Sequence, residues 1–292
     1  MITHLLAVDG GGTKTALRLT TLEPLKTDPL FTLTSGPSSL TQQGSVAIAT
    51  INHAIEHCLN QCQLEADNVF IVIGVAGAGN QELKQQLQNS LVQYPHFLVT
   101  TDAHTSLLGA KHGEAVNTVA IGTGAVATTL ESNGEVSLFG GWGFPIGDEA
   151  GGAWLGQQAV RALIDAIETQ KHSPLTNYLT EHFGQDRKSL LQWLKQAKAS
   201  DFAQFAPVVI ECAEQDCSVS QSILAQAHHH IDNLITKCCK NNELDIAFLG
   251  SLGAYYQKHL KTHWQHRVIQ PKGTALDGAI LLAKQQVELI NE

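Results

Sequence analysis

Two glycine-rich turns constrain the fold of this chain more than any other feature of its sequence. The turns lie at residues 10–12 and 122–124, and each stands between two apolar runs of strand length. A short buried strand that breaks at glycines and resumes as a strand predicts a β-hairpin. Glycine permits positive φ at each hairpin tip and lets a phosphate group approach the backbone N–H groups. Two such hairpins on related halves predict that the chain binds one polyphosphate from both sides.

The apolar pattern predicts an α/β fold with two domains. After the first hairpin, residues up to about 112 alternate between helices and strands, with a helix over 45–62 and a buried strand over 69–75. The second hairpin restarts this pattern, and the stretch from about 174 to 240 is predicted to be helical. A duplicated fold of this kind suits a ligand held at the domain junction.

Composition argues against several classes of partner. Because the net charge is −9 and Lys and Arg are scattered, nucleic acid and anionic membranes are not expected as main partners. We see no signal peptide, and no apolar stretch approaches the ~20 residues of a membrane span, so we expect a cytoplasmic protein. The six cysteines, of which Cys58 and Cys62 lie one turn apart on an apolar helix face, are expected to be buried free thiols.

The tract His228-His229-His230 lies within a predicted helix. Consecutive helical residues point about 100° apart, so the three imidazoles cannot converge on one metal ion. A solvated helix face is the expected structure for this tract.

Two aspartates stand where predicted strands end. Asp9 sits where the first strand ends, beside amides that would hold phosphate, and a carboxylate there indicates an intervening Mg²⁺ ion. The alternative is that Asp9 only closes the turn. Asp102 begins a helix, which is typical of an N-cap and also suits a general base that accepts a proton from a sugar hydroxyl. Lys14 either contacts phosphate or is a solvated strand residue.

Residues 140–154 form the segment richest in functional signals. Trp142 offers a flat apolar face, Asp148 and Glu149 offer acceptors for paired hydroxyls, and the glycines let the backbone approach a small polar ligand. Together these features indicate a sugar-binding loop. The alternative is a loop that caps the following helix, where the helix dipole favours carboxylates. The later turn 250–253 either lets an adenine pass close to the backbone or is an ordinary turn.

In their order and spacing, these motifs resemble the N-acetylglucosamine kinase and glucosamine kinase group of the BadF/BadG/BcrA/BcrD ATPase family, within the actin–Hsp70–hexokinase superfamily. The resemblance spans nearly the whole chain and rests on the order of the motifs rather than on one of them. The motifs are Val8-Asp9-Gly10-Gly11-Gly12-Thr13, Thr101-Asp102-Ala103, Gly122-Thr123-Gly124, Gly141-Trp142-Gly143 with Gly147-Asp148-Glu149, Gly250-Ser251-Leu252-Gly253 and Ala275-Leu276-Asp277-Gly278-Ala279.

The resemblance implies an α/β fold of two RNase H-like (actin-like ATPase) domains with an interdomain cleft. The N-terminal domain would cover residues 1–113, with a helix over about 275–292 packing back on it. The C-terminal domain would cover residues 114–274 and carry a helical insertion. The implied activity is ATP-dependent phosphorylation of the 6-hydroxyl of N-acetylglucosamine or glucosamine, with ATP and Mg²⁺ as cofactors and with closure of the cleft excluding water.

The resemblance also assigns roles to individual residues. Asp9 would hold Mg²⁺ through water, and Asp102 would take the proton from the sugar hydroxyl as the catalytic base. The nucleotide-binding residues, with Lys14 added as a candidate phosphate contact, would be Gly11, Gly12, Thr13, Lys14, Gly122, Thr123, Gly250 and Gly253. The sugar-binding residues would be Ser39, Asp102, Thr123, Gly124, Trp142 and Asp148.

Two positions depart from the family pattern and leave the identity of the amino sugar open. Ser39 stands where the family usually has an Asn that touches the sugar, and Ala125 stands where similar kinases often carry Ser. One rival interpretation is an ATP-driven activator of a partner enzyme, as in another branch of the family. Those activators resemble dimers bridged by an iron–sulfur cluster, whereas this chain lacks a convincing clustered cysteine pair in the right place and carries the sugar-like loop from Trp142 to Asp148. Another is a nucleotide-binding regulatory module, which would need no base at Asp102. The oligomeric state stays open, with a homodimer as one candidate.

Overall fold

The computed structural model describes residues 1–22, 29–184 and 186–292, and its contacts divide the chain into two compact units. Unit 1 comprises Met1–Val116, Leu130–Gly134 and Gln270–Glu292, and unit 2 comprises Asn117–Thr129 and Glu135–Ile269. Relative to the expected domain limits, residues 114–116, 130–134 and 270–274 lie in unit 1. The structure contains two five-stranded sheets with flanking helices, which confirms the predicted α/β class.

The first sheet belongs to unit 1. Its strands are β1 (His4–Gly10), β2 (Thr15–Thr21), β3 (Phe31–Ser35), β4 (Val69–Val75) and β5 (Phe97–Thr100). The order across the sheet is β3-β2-β1-β4-β5; the first three strands are antiparallel, and β4 and β5 run parallel to β1. Every residue of β4 is buried, as expected for an apolar strand covered on both faces. The carboxyl ends of β1, β4 and β5 therefore meet at one edge of the sheet.

The helices of unit 1 pack on this sheet. They are α1 (Leu40–Gln43), α2 (Ser45–Cys62), α3 (Gln81–Asn89) and α4 (Asp102–Ala110). α2 has the predicted bounds because its apolar residues recur at helical spacing, and Ala47, Ile51 and Ile55 are buried in the core that includes the strands.

The second sheet belongs mainly to unit 2. Its strands are β6 (Val116–Ile121), β7 (Ala125–Leu130), β8 (Val136–Gly140), β9 (Ile246–Leu249) and β10 (Val268–Ile269). The order is β10-β9-β6-β7-β8, and β9 runs parallel to both β6 and β10. The second glycine turn joins β6 to β7, just as the first joins β1 to β2.

The helices of unit 2 lie mostly between β8 and β9. They are α5 (Gly152–Thr169), α6 (Pro174–Phe183), α7 (Arg187–Leu194), α8 (Ala199–Ala203), α9 (Ala206–Glu214), α10 (Ser218–Cys238), α11 (Gly253–Lys258) and α12 (Thr262–Gln265). The described residues between 174 and 240 are mainly helical, which confirms that prediction.

The last helix of the chain, α13 (Ala275–Asn291), lies in unit 1 and packs against α4, β1 and β4. In its first turn, Asp277 forms an ion pair with Arg18 of β2. Where α13 crosses α4, a Cβ on Gly278 would lie 1.9 Å from the carbonyl oxygen of Thr105. Glycine is therefore required for the close approach of these two helices.

The cysteines and the histidine tract differ partly from expectation. All six cysteines are free and all but Cys62, which is half-buried, are buried. His229 is exposed, but His228 is half-buried, stacks beside the rings of Tyr255 and His259, and has a buried Nε2 without a partner in the described part of the chain. The prediction of a solvated face is wrong for His228 because α11 covers that side of α10. Within the described ranges, no helix combines the length and apolarity needed to cross a bilayer.

Candidate active site

Asp9 and Asp102 lie at the edge of the unit 1 sheet where β1, β4 and β5 end. Asp9 is in register with Gly74 of β4, and Gly74 is in register with Thr100 of β5. Asp102 begins α4 two residues after Thr100. The two carboxylates are close enough for the charge of Asp102 to act on Asp9. This edge is where ligands bind in open sheets with parallel strands.

Burial dominates the electrostatics of this carboxylate pair. The pKa of Asp9 is raised to about 6, chiefly by burial and also by the negative charge of Asp102, while the positive charge of Lys14 acts in the opposite direction. Burial also raises the pKa of Asp102, while the backbone N–H of Ala103 lowers it. Two carboxylates in this situation attract a proton or a cation. The described residues contain no cluster of three or more His, Cys, Asp and Glu side chains for a metal, so water or substrate oxygens would complete a Mg²⁺ shell here.

The N-cap of α4 is Thr101, whose hydroxyl accepts a hydrogen bond from the backbone N–H of His104 (3.1 Å). The alternative that Asp102 is the N-cap is therefore wrong. The start of α4 also lies close to β4. The hydroxyl of Thr105 donates to the carbonyl oxygen of Asp102 (3.1 Å), and a Cβ on Gly74 would lie only 2.3 Å from that hydroxyl. Glycine at position 74 thus fixes how near Asp102 comes to the sheet.

The first glycine turn uses glycine for space rather than for positive φ. None of its glycines at 10–12 has a positive φ, so this turn does not use the conformational freedom that glycine permits. Instead, a Cβ on Gly10 would lie 2.6 Å from Oγ of Ser38. The turn is closed by the N–H of Gly11, which donates to the carbonyl oxygen of Lys14 (3.0 Å).

Two backbone amides of the first turn remain free of protein acceptors. Among the described residues, nothing accepts a hydrogen bond from the N–H of Gly12 or Thr13. Both residues are exposed, as is Lys14. The N–H of Gly11 is already used inside the turn, so Gly12 and Thr13 are the donors that a phosphate could use.

The segment after β3 is tied to the first turn. The N–H of Ser38 donates to the carbonyl oxygen of Gly11 (2.9 Å), and its Oγ accepts a hydrogen bond from the hydroxyl of Thr15 (2.7 Å). Ser39 follows at the start of α1 and is only 3% exposed. The structure places Ser39 near the first turn through this segment, and its contact with a sugar stays a prediction.

The second glycine turn is held by the start of α5. The N–H of Gly152 donates to the carbonyl oxygen of Gly122 (2.8 Å), and the N–H of Gly122 donates to the carbonyl oxygen of Gly124 (2.9 Å). Gly122 and Gly124 also lack positive φ. A Cβ on Gly124 would lie 2.3 Å from Oδ2 of Asp148, which again makes space the reason for glycine. Within the described residues, the N–H groups of Thr123 and Gly124 have no acceptor.

The loop that follows β8 has an unusual backbone. Residues with positive φ are Gly140, Gly141, Gly143, Asp148 (φ 64°) and Ala150 (φ 70°). Oδ1 of Asp148 accepts a long hydrogen bond from the N–H of Gly143 (3.4 Å), and burial raises the pKa of Asp148. Trp142 is 88% exposed and lines a cavity of ≈ 220 Å³ with Ala125, Glu149 and part of α10. Non-glycine residues in such conformations cluster at functional sites.

The turn at 250–253 packs against the end of β6. Gly250 has φ 81°, and a Cβ there would lie 2.3 Å from the carbonyl oxygen of Ile121. The same oxygen accepts a hydrogen bond from the N–H of Leu252 (3.0 Å), and Gly253 is buried at the start of α11. Since Ile121 immediately precedes the second glycine turn, unit 2 brings these two turns together.

Sequence reasoning did not single out several residues that shape the site. Gly74 and Thr105 set the approach of α4 to β4, and a Cβ on Gly151 would lie 2.7 Å from the Cα of Gly124. At Gly74 and Gly151 the sequence shows only that a glycine is present. The atom that each glycine leaves room for belongs to a distant part of the chain, so its role cannot be recognised from neighbouring residues.

Comparisons with known proteins agree with the motifs. The sequence model of the BadF/BadG/BcrA/BcrD ATPase family matches residues 6–282. The chain is 25% identical over 284 residues to a glucosamine kinase of Vibrio cholerae, with 96% of this chain and 95% of that protein covered. It is 26% identical to an N-acetyl-D-glucosamine kinase of Dictyostelium discoideum, with 82% and 80% covered.

A solved structure gives the same result. The crystal structure of a Chromobacterium violaceum protein, assigned provisionally as an N-acetylglucosamine kinase, superposes with a TM-score of 0.88 at 31% identity. The superposition covers 97% of this chain and 99% of that one. Because the family model spans most of the sequence, the chain belongs to the BadF/BadG/BcrA/BcrD ATPase family.

Proposed function

We propose that the protein is an ATP-dependent kinase that transfers the γ-phosphoryl group to the 6-hydroxyl of an amino sugar, N-acetylglucosamine or glucosamine. The observation that carries the proposal is the carboxylate pair Asp9 and Asp102 at the sheet edge of unit 1 that also bears the first glycine turn. Phosphoryl transfer needs a cation, donors for phosphate and a residue that orients the nucleophile, and this edge offers groups for all three. The names of the V. cholerae and D. discoideum relatives point to the same class of substrate.

Asp9 is the residue that we propose to hold Mg²⁺, through water. Its carboxylate suits a hard cation, and the raised pKa reflects burial and the nearby charge of Asp102, both of which a cation would offset. Bound Mg²⁺ would neutralise charge on the phosphate oxygens. Lys14 already favours the ionised form of Asp9 and adds a second positive charge for phosphate.

The proposed phosphate donors are the backbone N–H groups of Gly12 and Thr13 in unit 1 and of Thr123 and Gly124 in unit 2. Gly11 and Gly122 were also implied as amide donors, but their N–H groups are engaged within their own turns. We therefore assign Gly11 and Gly122 to the shape of the turns. Gly250 and Gly253 are proposed to border the adenosine.

Asp102 is the proposed general base. Burial raises the pKa of Asp102, and a carboxylate with a raised pKa is a stronger base than an ordinary one. Its pKa also lies nearer to neutral pH, where a general base is most effective. In unit 2, we propose that the exposed face of Trp142 and the carboxylate of Asp148 bind the sugar together with Gly124. Ser39 is proposed to contribute from unit 1.

The test is a coupled ADP-release assay with MgATP against glucosamine, N-acetylglucosamine, glucose and N-acetylmannosamine. Strong turnover on one amino sugar would support the kinase and identify its substrate. Tight ATP binding without turnover on any of these sugars would favour an activator or a regulatory module instead.

A variant tests the role of the base. Asp102→Asn should retain ATP binding and lower kcat by ~10²–10⁴, the usual contribution of a general base. Asp67→Asn, at an exposed aspartate of the same unit, is the matched control and should keep native kcat. Near-native turnover in Asp102→Asn would remove Asp102 from this role.

A further inference from the structure

The side-chain amide of Gln42 lies over the first glycine turn. Gln42 is a half-buried residue of α1. A Cβ placed on Gly12 would lie 3.1 Å from Oε1 of Gln42 and 3.5 Å from its Nε2. The amide group of Gln42 therefore occupies the space beside the Cα of Gly12, next to a backbone N–H that we propose as a phosphate donor.

The segment that carries Gln42 is held by contacts before α1 and in the first residues of α1. Before the helix, the N–H of Ser38 is bonded to Gly11 in the turn (2.9 Å). At its start, the N–H of Leu40 donates to the carbonyl oxygen of Ala76, in the loop after β4 (2.9 Å). A Cβ on Gly77 would lie 2.5 Å from Oγ1 of Thr41, so this loop lies directly against α1. Gln42 is thus presented to the turn by a short, well-anchored segment.

Among the described residues, the side-chain amide of Gln42 has no hydrogen-bond partner. A glutamine amide has two N–H donors, and on this half-buried side chain, which is not among the fully buried polar groups that lack a partner, they are available to a ligand. The nearest features are the free N–H groups of Gly12 and Thr13. A ligand oxygen bound by the N–H groups of Gly12 and Thr13 would therefore lie close to the side-chain amide of Gln42.

We propose that Nε2 of Gln42 donates a hydrogen bond to the terminal phosphoryl group of ATP, the group that is transferred. The proposal rests on the proposed function, since it takes the first turn as a phosphate-binding turn. The segment of Gln42 also carries Ser39, the candidate sugar contact. The transferred phosphoryl group must lie between the nucleotide and the sugar. The segment 38–42 begins at Ser38, which is bonded to the phosphate-binding turn, passes the candidate sugar contact Ser39, and reaches Gln42.

The experiment compares two nucleotides that differ by the terminal group. Binding of ADP and of the non-hydrolysable ATP analogue AMP-PNP, each with Mg²⁺, is measured by isothermal titration calorimetry. Gln42→Ala should weaken binding of AMP-PNP about tenfold or more, the worth of a hydrogen bond to a charged group, and leave binding of ADP within about twofold. Gln42→Glu, which replaces the donor by a carboxylate, should weaken AMP-PNP further.

Gln86→Ala, at an exposed glutamine of α3 in the same unit, is the matched control and should bind both nucleotides like the native protein. Thermal unfolding of each variant checks that it is folded. Equal losses for ADP and AMP-PNP, or no loss for either in both Gln42 variants, would overturn the proposal.

The same titrations separate this proposal from the kinase proposal. If the native protein binds both nucleotides but phosphorylates no sugar, the kinase proposal fails while the comparison at Gln42 still decides the phosphate contact. If the native protein binds neither nucleotide, both proposals fail.

Discussion

The crossing of α4 and α13 links the stability of unit 1 to the position of Asp102. At this crossing, a Cβ on Gly278 would lie 1.9 Å from the carbonyl oxygen of Thr105 and 2.6 Å from the backbone N of Gly109. Real Cβ atoms do not approach such atoms more closely than 3.0 Å, so Gly278→Ala must move the two helices apart by about 1.1 Å. Because Thr105 belongs to the first turn of α4, this movement acts on Asp102 directly.

Two effects set the size of the change. Overpacking the helix contact lowers the free energy of unfolding by about 1–3 kcal/mol. The higher helix propensity of alanine raises it by up to about 1 kcal/mol. We expect the free energy of unfolding to fall by roughly 1–2 kcal/mol. A displacement of about 1 Å in a catalytic group costs about 10²-fold in rate, so kcat should fall by roughly that factor although Gly278 touches no ligand.

The assays are urea unfolding and kcat for the amino sugar that the protein phosphorylates. Gly79→Ala is the matched control, because Gly79 is exposed, has no atom within 4 Å of the added Cβ and lacks positive φ. It should leave both quantities near the native values. A Gly278→Ala protein that is folded and has native kcat would refute the reasoning that this crossing positions Asp102.

Two further predictions concern His228 and Asp148. Burial and the nearby His259 lower the pKa of His228, so the unfolded chain binds more protons in acid and the native state should lose stability as the pH falls below about 6.5. His228→Gln cannot titrate and should flatten the free energy of unfolding between about pH 7 and pH 5; an unchanged slope would contradict this. Asp148→Asn, chosen because Asn tolerates the positive φ at this position, should raise the KM for sugar about 10- to 100-fold with little effect on the KM for ATP. An unchanged KM for sugar would count against the loop as the sugar pocket.

The elements that could be predicted from sequence are those with local signals. The helix over 45–62 and the strand over 69–75 are confirmed at the predicted residues, since apolar spacing and an unbroken apolar run are readable within a few residues. The hairpins around both glycine turns are confirmed for the same reason. The order of these motifs was also enough to identify the family.

The reasons for individual glycines could not be read from the sequence. Glycine permits positive φ at residues 10–12, but none of the three adopts it, and Gly10 is required because Ser38 comes close to it. The same holds for Gly124, which faces Asp148. In both cases the constraint is a side chain more than twenty residues away in the chain, which only the fold reveals.

Single residues of the site were missed for related reasons. Thr101 and Asp102 are adjacent and both can cap a helix, and only the hydrogen bond to the N–H of His104 shows that Thr101 does so. His228 was expected to be solvated because its burial comes from Tyr255 and His259, which follow His228 by more than twenty residues. Gln42 carried no sequence signal at all.

The division of unit 1 between the two ends of the chain has a consequence for its synthesis. β1 and β4 are made early, but α13, which covers them with Ala279, Leu282 and Val287, is made last. At the usual ribosomal rate of about 5–20 residues per second, α13 is synthesised roughly 15–50 s after β1. During that interval the apolar face that α13 later covers is open to water, and we expect nascent unit 1 to need protection by a chaperone that binds apolar surface.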